Sequence, residues 1–429
     1  MQSCRAAQLL TFSRGLALLW TASIPLSIAV AEAAMWLAAA TWGAAWLIGE
    51  LGAGELDGEP RARGPAGDAL GLIGAPIIAF FAISLLSALL SRNPIESLLE
   101  LKEVFLFAAP LVTWACFRDA SWRDLSRAAL AAGLLLALAV GIFQMLTSGA
   151  PPDGQPLRPS GTLGHYMTYS GVLLVAVPLL LTIRGGSRTL ASHMLAVVAV
   201  GMIGASMTRS AWIGCAVSLL VFFASAAIGA RRAPVTRPRL RPALYGMSLA
   251  IGVIVAIVLL AAVAGPDALY ARAASIFSLE EPTNLDRLAM AAVGLKMIAA
   301  YPLQGIGPGL MEGVYQAWAV DWAVRSTNPH LHNNVLQIAA ERGLPALAAW
   351  LWMMGAFLVV AWRVLRAAGP HQEAGIEARA ALAALCGFLA MGMFEYNFSD
   401  SEVLMALLYV VSLPLAASAG MGGDPRAAP

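Results

Sequence analysis

Residues 69–90 read Ala69-Leu-Gly-Leu-Ile-Gly-Ala-Pro-Ile-Ile-Ala-Phe-Phe-Ala-Ile-Ser-Leu-Leu-Ser-Ala-Leu-Leu90, with no charged side chain anywhere in the run. A helix needs about 20 mostly apolar residues to cross the hydrocarbon core of a bilayer, and this run is long enough. The pattern recurs along the chain at 9–30, 33–51, 98–117, 125–147, 164–183, 189–207, 210–230, 242–264, 344–365, 378–398 and 402–419. Lipid offers the backbone no hydrogen-bond partner, so each such run must satisfy its own peptide groups as a helix. The fold class expected is all-α integral membrane, with about twelve transmembrane helices. Residues 1–429 then form a single polytopic membrane domain, and no pair of spans shows an internal repeat.

Composition agrees. Of 429 residues, 59% are hydrophobic and 12% charged, with a mean hydropathy of +0.74, whereas soluble domains carry about 25% charged residues. A net charge of +2 is too small to suggest a nucleic-acid partner. Twenty-five of the 27 basic residues are Arg, the lysines being Lys102 and Lys296; base composition is the plain explanation, although Arg also suits bidentate phosphate recognition. Cys4, Cys116, Cys215 and Cys386 stand far apart without Cys-x-x-Cys spacing, and read as small buried hydrophobes outside any disulfide frame or metal site. The N-terminus imitates a signal peptide, with Arg5, Arg14, an apolar run and then Ala29-Val-Ala-Glu-Ala33. The many spans that follow favour an uncleaved first helix.

Basic residues in the connections set orientation. With a cytoplasmic N-terminus, eighteen basic residues fall inside and eight outside: Arg92, Arg158, Arg209, Arg272, Arg287, Lys296, Arg325 and Arg342. Both termini are therefore expected in the cytoplasm. Two external connections stand out. Gly149–Gly164 is rich in Pro and Gly and expected to be irregular. The segment 265–343, between the ninth and tenth spans, is far longer than an ordinary connection and is expected to hold short amphipathic helices lying on the outer leaflet. Within it, Leu285, Leu288, Ala292, Leu295 and Ala299 share one helical stripe, with Arg287 away from it. Pro302 should end that helix, and Gly305-Ile-Gly-Pro-Gly309 should turn. Tyr301, Tyr315, Trp318 and Trp322 suit a lipid–water interface.

The segment ends in Asn328-Pro-His-Leu-His-Asn-Asn-Val-Leu-Gln-Ile-Ala-Ala-Glu-Arg-Gly343, which holds two of the five histidines. Polar groups are expensive in an apolar protein and persist where they do something. Here Asn333, Gln337 and Glu341 recur at helical spacing and make a polar stripe, with Val335 and Leu336 facing the bundle. His332 next to that stripe has the position and chemistry of a general base; the plainer alternative is a histidine capping local backbone. His330 forms a His-x-His pair with it, a spacing that holds Zn²⁺ from a strand, but no third ligand is clustered nearby in sequence, so no metal is expected. No Asp-x-Asp pair offers a site for a nucleotide-bound divalent ion. The glycines of 305–309 resemble a phosphate loop only weakly, because no strand precedes them.

Arg158, Arg209 and Arg287 lie beside apolar helix ends. Singly each reads as a solvated or snorkelling charge. Jointly they fit a pyrophosphate leaving group at the membrane surface, which needs cationic donors as it departs. His165 and Tyr169 open the sixth span on the same face, and Glu395, Asn397 and Asp400 end the eleventh on it. Glu100, Lys102 and Glu103 are the charges placed deepest, as a structural network or an ion path.

These residues resemble the O-antigen ligase family, relatives of the O-antigen polymerases and the bacterial O-linked oligosaccharyltransferases. The resemblance rests on His332-Asn-Asn-Val-Leu336 with Gly343-Leu-Pro345, on Arg209-Ser210 after a span, on Arg158-Pro-Ser-Gly-Thr162, and on Arg287 with Pro302-Leu-Gln-Gly-Ile-Gly307. The family's aromatic after the Arg287-type arginine is replaced by Ala291 and Ala292. The resemblance implies a GT-C-like glycosyltransferase in the bacterial inner membrane, active at its periplasmic face. Its donor is a glycan on undecaprenyl pyrophosphate and its acceptor lipid A–core. It implies His332 as base, Arg209, Arg287 and Arg158 on the pyrophosphate, and His330, Asn333, Asn334, His165 and Tyr169 in support. No metal or cofactor is implied. A polymerase with the same donor, and a multi-span transporter using charges around Lys102 and Glu103, stay open as alternatives.

Overall fold

The computed structural model describes residues 2–53, 65–147, 157–231, 266–275, 278, 281–368 and 372–421. Among these, every regular element is helical: α1 (Gln2–Ser23), α2 (Ile28–Ala53), α3 (Pro65–Leu90), α4 (Pro94–Leu99), a 3-10 stretch (Glu100–Ala108), α5 (Ala109–Cys116), α6 (Ala120–Thr147), α7 (Tyr166–Leu180), α8 (Ser187–Ala205), α9 (Arg209–Arg231), α10 (Pro266–Ala274), α11 (Pro282–Ala300), α12 (Met311–Trp318), α13 (Asn334–Ala368), α14 (Glu373–Met391) and α15 (Ser401–Met421). The protein is an all-α integral membrane protein. Eight of these helices (α2, α3, α6, α8, α9, α13, α14 and α15) are long and apolar enough to cross a membrane. The expected span 164–183 is the shorter apolar helix α7, and 242–264 lies outside the described residues.

The expected span 98–117 is not one helix. Leu101 leaves helical geometry (φ −81°, ψ 17°), and the chain runs through the 3-10 stretch before α5. The cause is its charge. A straight helix would carry Glu100, Lys102 and Glu103 into hydrocarbon; instead Lys102 pairs with Glu100 at 3.3 Å near the surface, and Glu103 pairs with Arg342. Arg342, expected as an external charge, is 1% exposed and its guanidinium also lies 5.2 Å over the Phe80 ring.

α14 and α15 are the axis of the bundle: 83% of their spanning residues are buried, against 33% in α3, α6, α8 and α9. In lipid the gain from burial comes from close packing rather than from escape from water, so small residues mark the contacts. α14 buries Ala374, Ala378, Ala380, Ala381, Ala383 and Ala384. Gly387 of α14 meets Gly214 of α9, where a Cβ on Gly214 would stand 2.7 Å from the Gly387 carbonyl oxygen. Alanine at that position would force the two helices apart.

α13 is broken at Gly343 (φ 81°, ψ 168°), which separates its first turns from the spanning part. The turn 301–309 docks into this break. Ile306 and Gly307 donate to the carbonyls of Ala340 and Glu341 at 2.9 and 2.8 Å, and Leu344 donates to the Pro302 carbonyl at 2.8 Å. Gly309 N–H donates to Glu341 Oε1 at 3.1 Å. These amides are spent on the fold, so the 305–309 glycines form a clamp. A Cβ on Gly305 would lie 2.3 Å from the Glu341 carbonyl carbon. The polar stripe of α13 is also inward: Gln337 Oε1 accepts from Leu331 N–H at 2.7 Å, and Gln337 and Glu341 are buried.

Above the bundle, α11 packs through Met290, Val293 and Met297 against Met311, Tyr315, Leu331 and Ala340. Its other apolar stripe faces outward, with Leu288 48% and Leu295 59% exposed. Tyr315, expected at the lipid–water boundary, is a core residue here, while Trp322 is exposed.

Candidate active site

Six elements bring their polar ends to one cavity of about 900 Å³. The stretch before α7 supplies Arg158 and His165, the start of α9 supplies Arg209, α10 supplies Arg272, and α11 supplies Asp286 and Arg287. The loop before α13 supplies His330 and His332, and the α14–α15 connection supplies Glu395, Tyr396 and Asp400. Arg325 also lines it, so five of the eight basic residues expected outside meet here. Arg123 and Arg127, expected inside, pair with Glu377 at 3.1 and 3.3 Å. Glu377 sits in the first turns of α14 and Glu395 lies past its last, so the two basic groups occupy opposite ends of that helix.

His332 sits at the apex of a tightly held loop. Asn333 caps α13 by accepting from Leu336 N–H at 2.9 Å, and its amide donates to the Met393 carbonyl at 2.8 Å. Asn334 donates to Asn397 Oδ1 at 2.7 Å and accepts from Phe398 N–H at 3.2 Å. Both asparagines thus staple the loop to the α14–α15 connection and do not line the cavity. Between the staples and Leu331, His332 takes a left-handed backbone (φ 48°), a conformation that costs a non-glycine residue about 1–3 kcal/mol. The other left-handed non-glycine residue among the described ones is Met207 (φ 52°), two residues before Arg209.

The imidazole Nδ1 of His332 is 2.9 Å from Glu395 Oε1. Burial pushes the Glu395 carboxyl up, but the His332 hydrogen bond, with the electrostatic pull of His332, His330 and Arg287, outweighs it and holds the carboxyl below its ordinary value. An ionised carboxylate only accepts. Nδ1 therefore carries a proton, and in the neutral imidazole Nε2 has the free lone pair. His330 stands edge-on to His332, ring centres 4.1 Å apart. Burial, with the neighbouring His332 and His165 and against Glu395, pushes its ring down to about 4, which leaves it neutral. The sequence offered no third ligand to this His-x-His pair. The fold supplies one, since the ligand atoms of His330, His332 and Glu395 lie within 4.8 Å of one another.

Arg209, 5% exposed, donates to the Ser275 carbonyl at 2.7 Å and to Thr283 Oγ1 at 2.7 Å, which fixes its guanidinium plane at the cavity wall. Arg287 forms no hydrogen bond or ion pair with another described residue; burial lowers its pKa, while Glu395, Tyr166 and Asp286 favour its charge. Arg158 lies 4.8 Å over the Tyr166 ring, and Tyr166 stacks on His165 at 4.6 Å. The backbone beside Arg158 is held by Gln144, which accepts from Ser160 and Gly161 N–H at 3.0 Å each. The single Thr168 hydroxyl proton is shared between the two Asp400 carboxyl oxygens, at 3.1 and 2.9 Å; burial pushes that carboxyl up to about 7, Glu402 and Glu395 adding to the rise.

Tyr169 is elsewhere. It is 1% exposed, donates to the Ala137 carbonyl at 3.4 Å and packs its ring over Gly161, so it braces the α6–α7 contact. The sequence left Glu395 and Asp400 unranked and passed over Tyr166, Asp286 and Arg272. The signal for the carboxylates was the short polar run Glu395-Tyr-Asn-Phe-Ser-Asp400 between two apolar spans.

Residues 194–351 match the family model described as O-antigen ligase, and no curated protein matches the chain. The matched stretch runs from α8 into α13 and carries Arg209, Arg287, His330 and His332, while Arg158 and Glu395 lie outside it. That match supports the resemblance to the O-antigen ligase family, and with it glycosyl transfer of the ligase or polymerase type in lipopolysaccharide biosynthesis.

Proposed function

We propose that the protein moves an O-antigen glycan from undecaprenyl pyrophosphate to a sugar hydroxyl of lipid A–core, at the periplasmic face of the bacterial inner membrane. The observation that carries this reading is the meeting of Arg158, Arg209 and Arg287 with His332 in one cavity. The arginines hold the pyrophosphate through paired N–H donors. His332 Nε2 takes the proton of the acceptor hydroxyl while that oxygen bonds to the anomeric carbon. The bond from that carbon to the pyrophosphate oxygen breaks, and the arginines receive the charge that develops there. Glu395 holds the ring and favours the imidazolium that forms. Attack opposite the leaving group inverts the anomeric configuration and uses no metal or nucleotide.

The excess of basic residues at the Arg123 end supports placing both termini in the cytoplasm and the cavity in the periplasm. Exposed Leu85, Leu86, Leu89 and Leu90 on α3 suit contact with membrane lipids. The test is lipopolysaccharide from a deletion strain. Loss of all long-chain O-antigen, with undecaprenyl-linked polymer accumulating, is expected; cores capped with single repeat units would instead assign the polymerase reaction.

A further inference from the structure

We propose that His330, His332 and Glu395 form a three-ligand site for a zinc-like divalent cation, and that an ion bound there inhibits transfer. The three ligand atoms lie within 4.8 Å of one another, close enough to surround one ion with small rotations of the side chains. Two of the groups have unspent capacity: His330 Nδ1 and Glu395 Oε2 are buried and form no hydrogen bond. Buried polar atoms are normally paired, and an orphan at a functional site calls for a ligand or an ordered water.

Two imidazoles with one carboxylate make the donor set of open zinc sites, which leave a fourth position for water, and here the cavity itself provides that position and the way in. Imidazole donors favour zinc and copper over magnesium, calcium and manganese. The ligands are held ready, because the Asn334–Asn397 and Asn333–Met393 hydrogen bonds fasten the histidine loop to the connection that carries Glu395. Arg287, Arg209 and Arg158 line the same cavity; their field opposes a second positive charge, so the ion exchanges with a chelator instead of becoming a fixed part of the fold. The inhibitory half rests on His332 being the base. A cation seated here breaks the His332–Glu395 hydrogen bond and occupies the ring that must accept the acceptor's proton.

The experiment uses the full chain in detergent, stripped of metal and titrated with Co²⁺, whose visible absorption reports low-coordinate nitrogen and oxygen ligation. A band that saturates at a single Co²⁺ per chain, is displaced by Zn²⁺ and is lost in both His330→Ala and Glu395→Gln supports the site. Retention of the band in Asp400→Asn shows that the cavity's general acidity is not responsible. Absence of a saturable band, or its survival in both ligand variants, overturns the site. This titration needs neither donor nor acceptor, so it is decided whether or not the protein transfers glycan. In the transfer assay, stoichiometric Zn²⁺ is expected to lower the rate at least tenfold, with recovery on adding chelator and no effect of Mg²⁺. A rate that rises with Zn²⁺ overturns inhibition and the metal-free proton transfer together, while an unchanged rate overturns inhibition alone.

Discussion

Glu395 Oε1 and His332 Nδ1 are 2.9 Å apart across 63 residues of sequence. The contact fixes which ring nitrogen bears the proton and so which one is free to accept another. Replacing Glu395 with Gln keeps the shape and removes the charge. Transfer by Glu395→Gln should fall about 10²-fold or more, the range typical of impaired general-base catalysis. The loss should appear in kcat with KM for the donor little changed, and Glu395→Asp should recover part of it. A change confined to KM would move Glu395 from proton transfer to substrate binding.

Arg209 and Arg287 are charged at any working pH, and their value lies in the planar fork. Arg287→Lys and Arg209→Lys should each lower kcat/KM by roughly 10²–10³. Arg209→Lys should also loosen the wall that Ser275 and Thr283 now hold. Steady-state kinetics with donors of one and two phosphates would check it, since a lost pyrophosphate contact narrows the difference between them.

Glu103 and Arg342 form a buried ion pair that joins the 3-10 stretch to the first turns of α13. Removing one partner strands the other charge, which costs about 3–5 kcal/mol. Glu103→Gln should therefore lower the apparent unfolding temperature in detergent sharply. The double variant Glu103→Gln/Arg342→Met should regain most of the loss, because no lone charge remains. If Glu103→Gln unfolds like the unaltered protein, the pair has no structural weight.

Asp400 gives a pH dependence with a defined sign. Its carboxyl is pushed up to about 7 by burial, against an ordinary value of 3.8. Between those values the folded protein holds a proton that the unfolded chain has released, so this residue's contribution to stability falls as pH rises through that window. Asp400→Asn cannot ionise. Relative to the unaltered protein, its unfolding temperature should be similar near pH 4 and higher at pH 8, as a pair of pH-resolved melting series would show.

The membrane spans were legible because lipid permits few alternatives: a long apolar run without charges must be a helix. The same rule misreads 98–117, where Glu103 meets an arginine from far along the chain. Arg342 looks the same in sequence whether it faces solvent or a buried carboxylate. α11 has two apolar faces, and sequence periodicity selected the one with Leu288 and Leu295, which stays exposed, over the one with Met290 and Met297, which packs. His332 and the three arginines could be named from residue type and place at helix ends. Glu395 could not be paired with His332, because that contact exists only once α14 and α13 are side by side. Tyr169 failed for the opposite reason: it opens the right helix but points from it into the α6 contact.

Whether His332 accepts the acceptor's proton in a metal-free site is decided by transfer with purified protein in chelator, with His332→Ala beside it. The unaltered protein is expected to keep its rate in chelator, and His332→Ala to lose about 10²–10⁴-fold while still binding the donor. Full activity in His332→Ala, or a strict requirement for added metal, would contradict this.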